Sequence, residues 1–261
     1  MMGWRAKDML AIERKNEILS ILQKEQRVLV SELSQRYNVT EETIRRDLEK
    51  LEREGFVKKT YGGAVLNKNI SVDLPLKIRE KTNRKEKLAI AQKVAELVEE
   101  GECIMLDSSS TSLMIAQSLK KKEKLTVITN SVEVLIELSG CEGIQVISTG
   151  GTLRDSSLSL VGKAASDILS RYNVDKAILS CKGLDMHKGV TDSHEMEAEV
   201  KMSMRACAKT TILAADSSKL DSVYFIKVMD LEPGDILVTN QLPNKEWRDY
   251  LERKQVRFIE G

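Results

Sequence analysis

The chain has 261 residues, with 41 Lys plus Arg against 40 Asp plus Glu, 41% hydrophobic and 31% charged. This composition excludes an intrinsically disordered chain and allows one small and one medium folded domain, while a net charge of +1 assigns no partner. An affinity for nucleic acid has to arise from where the basic groups sit. No apolar run is long enough to span a membrane, and residues 1–10 do not read as a signal peptide, so a cytoplasmic protein without a membrane partner is expected. Cys103, Cys141, Cys181 and Cys207 are far apart and show no Cys-x-x-Cys spacing, which predicts buried reduced thiols.

Residues 1–66 read as a helical unit closed by a hairpin. Ile12, Ile18, Leu19, Ile21 and Leu22 form a helical stripe, and Val28, Leu29 and Val30 are β-prone. Ser31 is placed to cap a short helix running to Tyr37. After a turn at Asn38 and Val39, Thr40 is placed to cap a third helix, with Glu41 and Glu42 in its first turn. Ile44, Leu48 and Leu51 give that helix one apolar face, and Gly55 ends it. Phe56 to Tyr61 should be a strand that turns at Gly62 and Gly63 into a partner. Residues 67–85, polar and containing Pro75, predict a linker; residues 84–99 predict an amphipathic helix with Ile90, Val94, Leu97 and Val98 inward.

After Gly101, short apolar runs begin at Cys103, Leu125, Ile144, Lys176, Thr211 and Ile236, most of them followed by a polar or glycine-containing loop and a helical pattern. This alternation predicts an α/β domain over residues 86–261, with a parallel sheet flanked by helices. Ligands of such sheets collect at the carboxyl ends of the strands.

The second and third helices have the spacing of a helix-turn-helix. With Ile44, Leu48 and Leu51 turned to the core, Thr43, Arg45, Arg46 and Lys50 face outward beside the capping Thr40, and Lys58, Lys59 and Tyr61 lie on a hairpin wing. Arginine suits this position because its planar fork can read guanine bidentately or grip phosphate. On spacing alone, a generic helical domain whose arginines pair with Asp47 and Glu49 is nearly as good a reading. The run Val39-Thr-Glu-Glu-Thr-Ile-Arg-Arg-Asp-Leu, together with Tyr61-Gly-Gly-Ala, closely resembles the DeoR family of winged-helix repressors. The resemblance implies binding to double-stranded operator DNA through Thr43, Arg45 and Arg46.

Five loops at strand ends stand out in the second part: Asp107 with Ser109, Ser110 and Thr111; Thr129-Asn130; Gly150-Gly151 with Arg154; Lys182 with Asp185; and Asp216 with Lys219. Hydroxyls and backbone N–H groups before a helix, paired glycines and an arginine suit a phosphate. Each loop taken alone reads equally as a helix cap, a turn or a solvated pair. Their common position favours one polyol-phosphate pocket, with Glu195 at its mouth.

These loops also resemble the DeoR effector domain, which is similar in fold to ribose-5-phosphate isomerase; Ser109-Ser110-Thr111 departs from a Gly-Thr-Thr often found in the family. The resemblance implies a Rossmann-like effector domain and a phosphorylated sugar effector, while operators read by paired helix-turn-helix units are usually two-fold or repeated, which predicts a homo-oligomer, dimer or tetramer. Residues 191–201 contain His194, Glu197 and Glu199 without a zinc-binding spacing, so no metal, cofactor or catalytic residue is assigned. The alternative is a sugar-phosphate isomerase with an accessory DNA-binding domain, using Lys182, Asp185, Asp216 and Lys219.

Overall fold

The computed structural model describes residues 10–67 and 74–261. The chain divides into two compact units, Met1–Thr82 and Asn83–Gly261.

In the first unit the order is α1 (Ala11–Glu25), β1 (Arg27–Leu29), α2 (Val30–Tyr37), α3 (Glu41–Arg53), β2 (Val57–Thr60), β3 (Gly63–Leu66) and α4 (Leu76–Lys81). The three strands form an antiparallel sheet in the order β1-β3-β2. Ile18, Leu22, Leu33, Ile44, Leu48, Leu51 and Val57 share its core. The helical period of these residues gives α1, α2 and α3 their inward faces. Thr40 caps α3, its Oγ1 accepting from the Thr43 N–H at 3.2 Å. Ser31 does not cap α2: the helix begins at Val30 after Leu29, with no side-chain cap. The strand decides that start, because Leu29 pairs with Gly63 and the Val30 N–H donates to the Gly62 carbonyl at 2.8 Å. A Cβ at Gly63 would sit 2.0 Å from the Val28 carbonyl oxygen, so only glycine permits this approach.

The expected linker is also corrected in its second half. Leu76 and Ile78 are buried, and Ile78 joins the core of the first unit, so the apolar side chains of this charged stretch form α4. Residues 68–73 lie outside the described residues.

The second unit continues with α5 (Arg84–Leu97), β4 (Cys103–Leu106), α6 (Ser110–Leu119), β5 (Leu125–Thr129), α7 (Val132–Leu138) and β6 (Ile144–Ser148). A hairpin of β7 (Thr152–Arg154) and β8 (Ser159–Val161) precedes α8 (Lys163–Leu169) and β9 (Val174–Leu179). Then come β10 (Gly183–Asp185), β11 (Gly189–Asp192), α9 (Glu195–Ala206), β12 (Ala208–Ala214), β13 (Ile226–Met229), β14 (Ile236–Thr239), α10 (Lys245–Arg253) and β15 (Arg257–Glu260). Seven strands make a parallel sheet in the order β15-β14-β12-β9-β4-β5-β6.

Alternate strand residues enter different cores. Ile104 and Leu106 pack with α5, α6 and α7 on one face, and Met105 packs with α8, α9 and α10 on the other. The sheet is therefore doubly wound, and its strand order reverses between β4 and β9. That is the switch point at which such sheets open a crevice. The small sheets β7-β8 and β10-β11-β13, and the edge strand β15, lie outside the predicted strands, although residues 223–229, which end in β13, form an apolar run. All four cysteines are free thiols, but only Cys181 is buried; Cys103, Cys141 and Cys207 are half-buried.

Candidate functional site

Basic side chains stand exposed on α3 and the wing of the first unit. Arg45, Arg46 and Lys50 are exposed on α3, as are Lys58, Lys59 and Tyr61 on the hairpin. Thr43, half-buried, shares a hydroxyl hydrogen bond of 2.9 Å with Thr40. The arginines do not pair with Asp47 and Glu49. Arg45 pairs with Glu41 at 2.6 Å and Arg46 with Glu42 at 3.3 Å, each one turn away on the same helix. Glu49 pairs with Lys59 of the wing, and Asp47 is buried against Arg14 of α1 at 2.6 Å. The α1–α3 tie is thus internal, and the arginines are held only by exposed pairs that contribute little and exchange readily.

In the second unit the strand ends carry a dense polar cluster. Asp107, directly after β4, is 1% exposed. One of its oxygens accepts from the Ser109 N–H at 3.0 Å and the Ser112 hydroxyl at 2.6 Å. The other accepts from the Ser180 N–H at 2.8 Å, which clamps the ends of β4 and β9 together across the switch point. Ser109 caps α6, and Ser110 and Thr111 are buried in its first turn, Ser110 accepting from Lys87 at 3.1 Å. Thr129 is buried and bonds the Leu106 carbonyl at 2.7 Å. Asn130 donates to the Leu160 carbonyl at 3.2 Å, tying β5 to the β7-β8 hairpin.

Gly150 and Gly151 have φ of 62° and 115°, and a Cβ on Gly151 would come within 2.7 Å of the Val161 carbonyl oxygen. This turn delivers Arg154, whose Nη1 donates to Ser157 at 2.8 Å and lies 3.5 Å from Glu197. Asp216 accepts from Asn83 at 2.9 Å and from the Ser218 N–H at 3.2 Å. Burial pushes its carboxyl up, but the charges of Lys219 and Lys87 and the Ser218 and Asn83 hydrogen bonds more than offset this, holding it below the usual aspartate range.

One expected residue is engaged elsewhere. Asp185 accepts from the N–H groups of His187 and Lys188 at 2.8 Å each, capping the turn between β10 and β11, while Lys182 is half-buried. Glu195 is exposed in the first turn of α9.

The charges that organise the strand ends are instead Glu197 and Lys201 on α9 and Lys87 on α5; Glu197 and Lys201 lie in the 191–201 stretch that lacks a zinc-binding spacing, and Lys87 belongs to no motif in the sequence. Lys201 is buried and contacts Asp192 at 2.6 Å, the Ser180 carbonyl at 2.8 Å and Asp107 at 3.3 Å. Burial opposes its charge, yet Asp192 and Asp107 hold the ammonium above the ordinary lysine range. A signal for these residues existed. Lys87 stands in the stripe of Ile90, Ala91 and Val94, and Glu197 and Lys201 in the stripe of Val200 and Met204. A charge within an apolar helical stripe requires a buried partner. Among the described residues, no group of three or more His, Cys, Asp or Glu is placed to hold a metal, and no helix is long and apolar enough to cross a membrane.

An exposed basic winged helix-turn-helix, followed in one chain by a doubly wound sheet with polar strand ends, defines a DNA-binding transcription regulator with a sensor domain. Family comparison agrees at both ends: residues 14–69 match the DeoR-like helix-turn-helix domain and residues 82–241 the DeoR C terminal sensor domain. The chain belongs to the DeoR family of transcriptional regulators.

It is 44% identical over 249 residues to the uncharacterized HTH-type transcriptional regulator YulB of Bacillus subtilis (strain 168), covering 95% of this chain and 96% of that one. It is 36% identical over 247 residues to the transcriptional repressor GlcR of the same organism, covering 95% of each. The putative aga operon transcriptional repressor of Escherichia coli O157:H7 is 31% identical over 231 residues, covering 88% of this chain and 86% of that one. Among solved structures, a ribose 5-phosphate isomerase A from Methanocaldococcus jannaschii overlaps 53% of this chain and 55% of its own, at 18% identity and a TM-score of 0.40. That likeness is partial and carries no argument about activity.

Proposed function

We propose that this chain is a cytoplasmic repressor of a sugar uptake or catabolism operon, acting as a dimer or tetramer, whose operator affinity is controlled by a phosphorylated sugar. The observation that carries this reading is the cluster at the carboxyl ends of the strands. There Asp107 and the first turn of α6 follow β4, the Gly150-Gly151 turn follows β6 and Lys219 follows β12, all at the end of the sheet where doubly wound folds usually bind ligands. The names of the repressor relatives support a sugar operon. In this reading the first unit grips the operator through Thr43, Arg45, Arg46 and Lys50, with Lys58, Lys59 and Tyr61 on the backbone or minor groove. Residues 83–261 hold the effector, with Ser109, Ser110, Thr111, Gly150, Gly151, Arg154 and Lys219 around its phosphate and Thr129, Asn130 and Asp216 nearer the polyol.

The isomerase reading is weaker because it needs a carboxylate free to take a proton. Asp185 is committed to a backbone turn, and Asp216 accepts from Asn83 and the Ser218 N–H. The test is fluorescence anisotropy on the chain's own upstream DNA at fixed salt, with and without a panel of sugar phosphates. A change in specific affinity with one sugar phosphate is the expected result. Specific binding that no sugar phosphate alters would remove the effector reading. Ketose formation from ribose 5-phosphate that disappears in Asp216→Ala would restore the enzyme.

A further inference from the structure

Glu197 lies on the inward face of α9 and is 5% exposed. Three seryl hydroxyls donate to its carboxylate: Ser108 at 2.8 Å, and Ser157 and Ser159 at 2.5 Å each. Ser108 follows β4, Ser159 opens β8, and Ser157 lies in the turn between β7 and β8. A fourth group reaches the same carboxylate from that hairpin, the guanidinium of Arg154 at 3.5 Å.

The contrast between these contacts is informative. Charge-assisted hydrogen bonds run at about 2.5–2.9 Å, so the three hydroxyls meet the carboxylate's need for donors while the arginine contact is long. A buried carboxylate that loses a partner is normally left at a high desolvation cost. Glu197 escapes that cost, because it keeps three hydroxyl donors when the guanidinium leaves. Arg154, which donates to the Ser157 hydroxyl at 2.8 Å and meets Glu197 only at 3.5 Å, has a planar fork better matched to the oxygens of a phosphate than to that carboxylate oxygen. Gly150 and Gly151 supply the backbone turn that brings this arginine to the strand ends.

We propose that Glu197 is an internal competitor for Arg154, holding the guanidinium in reserve until the effector's phosphate takes it. Effector affinity is then the difference between the holds of two anions on one arginine, and Glu197 is a positioning residue that tunes it. The exchange would release Arg154 from Glu197 when the phosphate binds, while Ser157 and Ser159 keep the β7-β8 hairpin on α9. This inference rests on the phosphosugar reading above.

The test titrates the full-length chain with inorganic phosphate at constant ionic strength and follows thermal stabilisation. The wild-type chain should show a saturable response that Arg154→Ala abolishes. Glu197→Gln keeps the shape and an oxygen for Ser157 and Ser159, with Ser108 turning to accept from the new amide N–H, but removes the competing charge, so phosphate should bind a few-fold more tightly, roughly the scale of one loose ion pair. Ser159→Ala leaves every charge in place and takes one donor from Glu197. The carboxylate then holds Arg154 harder, and phosphate binding should weaken.

Folded Glu197→Gln protein that binds phosphate no better than wild type overturns the proposal. Should that variant not fold, Ser159→Ala decides alone, and unchanged or tighter binding overturns it. Tightening in Glu197→Gln without weakening in Ser159→Ala is simple charge removal and also counts against competition. These failures leave the phosphate site standing. A wild-type chain that does not respond to phosphate, or an Arg154→Ala variant that still does, removes Arg154 as the phosphate ligand and the proposal with it.

Discussion

At the residue scale, Arg45 and Arg46 differ from Lys58 in what their removal should do. The Arg45 side chain is 53% exposed in its pair with Glu41, so the guanidinium can leave at small cost and read a base edge. Arg45→Ala with Arg46→Ala should remove discrimination between operator and unrelated duplex, by roughly 1–3 kcal/mol for each base that an arginine reads bidentately. Lys58→Ala should instead weaken all sequences alike and shallow the salt dependence by about one phosphate neutralised. Anisotropy against the two duplexes over a salt series separates these outcomes; unchanged discrimination in the double variant would unseat α3 as the reading helix.

Asp216 gives a pH dependence of defined sign. Its folded pKa lies below the ordinary value, so the stability it contributes is present above the unfolded aspartate pKa of about 4 and fades as pH falls through the folded value. Denaturant unfolding of Asp216→Asn should therefore lose less stability than wild type between about pH 5 and pH 3. Parallel curves for the two proteins would contradict the charge arrangement of Lys219 and Lys87 around it.

At the scale of elements, α9 does the most to hold the strand ends. Lys201 neutralises Asp192 and Asp107 where neither meets bulk water. Lys201→Met conserves much of the volume but leaves two buried carboxylates facing each other, which should destabilise by about 3–5 kcal/mol. Thermal unfolding should register this as a large drop in Tm, at roughly 2–4 °C per kcal/mol for a unit of this size. A shift of under a degree would mean that the carboxylates find other donors. The apolar faces of α9 and α5 are readable from periodicity, but the roles of their charged members are not. A helical stripe reveals that Lys87, Glu197 and Lys201 point inward; it does not reveal which strand end supplies the opposite charge.

At the scale of the whole molecule, each unit has a core of its own, Ile18 through Ile78 in one and the two faces of the parallel sheet in the other. The chain should then unfold in two thermal transitions. Asp47→Ala, which strands Arg14 in the first unit, should lower one transition, and Lys201→Met should lower the other. Calorimetry of the two variants tests this, and a single transition moved equally by both would show that the units unfold as one.

The sequence by itself determined what neighbours along the chain decide: the Thr40 cap, the apolar face of α3, the wing glycines, and the strand–helix alternation after Gly101. These depend on interactions within a turn or two, and so leave a local pattern. Other features were decided only by the tertiary structure. The start of α2 follows from the pairing of β1 with β3, and α4 from the burial of Ile78 in a core made elsewhere. Asp107 becomes a clamp only because a sheet places Ser180, 73 residues away, beside it. Burial over the whole sheet selects that adjacency, and no residue at either end records it. The same holds for Glu197, which finds Ser108, Ser157 and Ser159 only after β4, β8 and α9 have packed together.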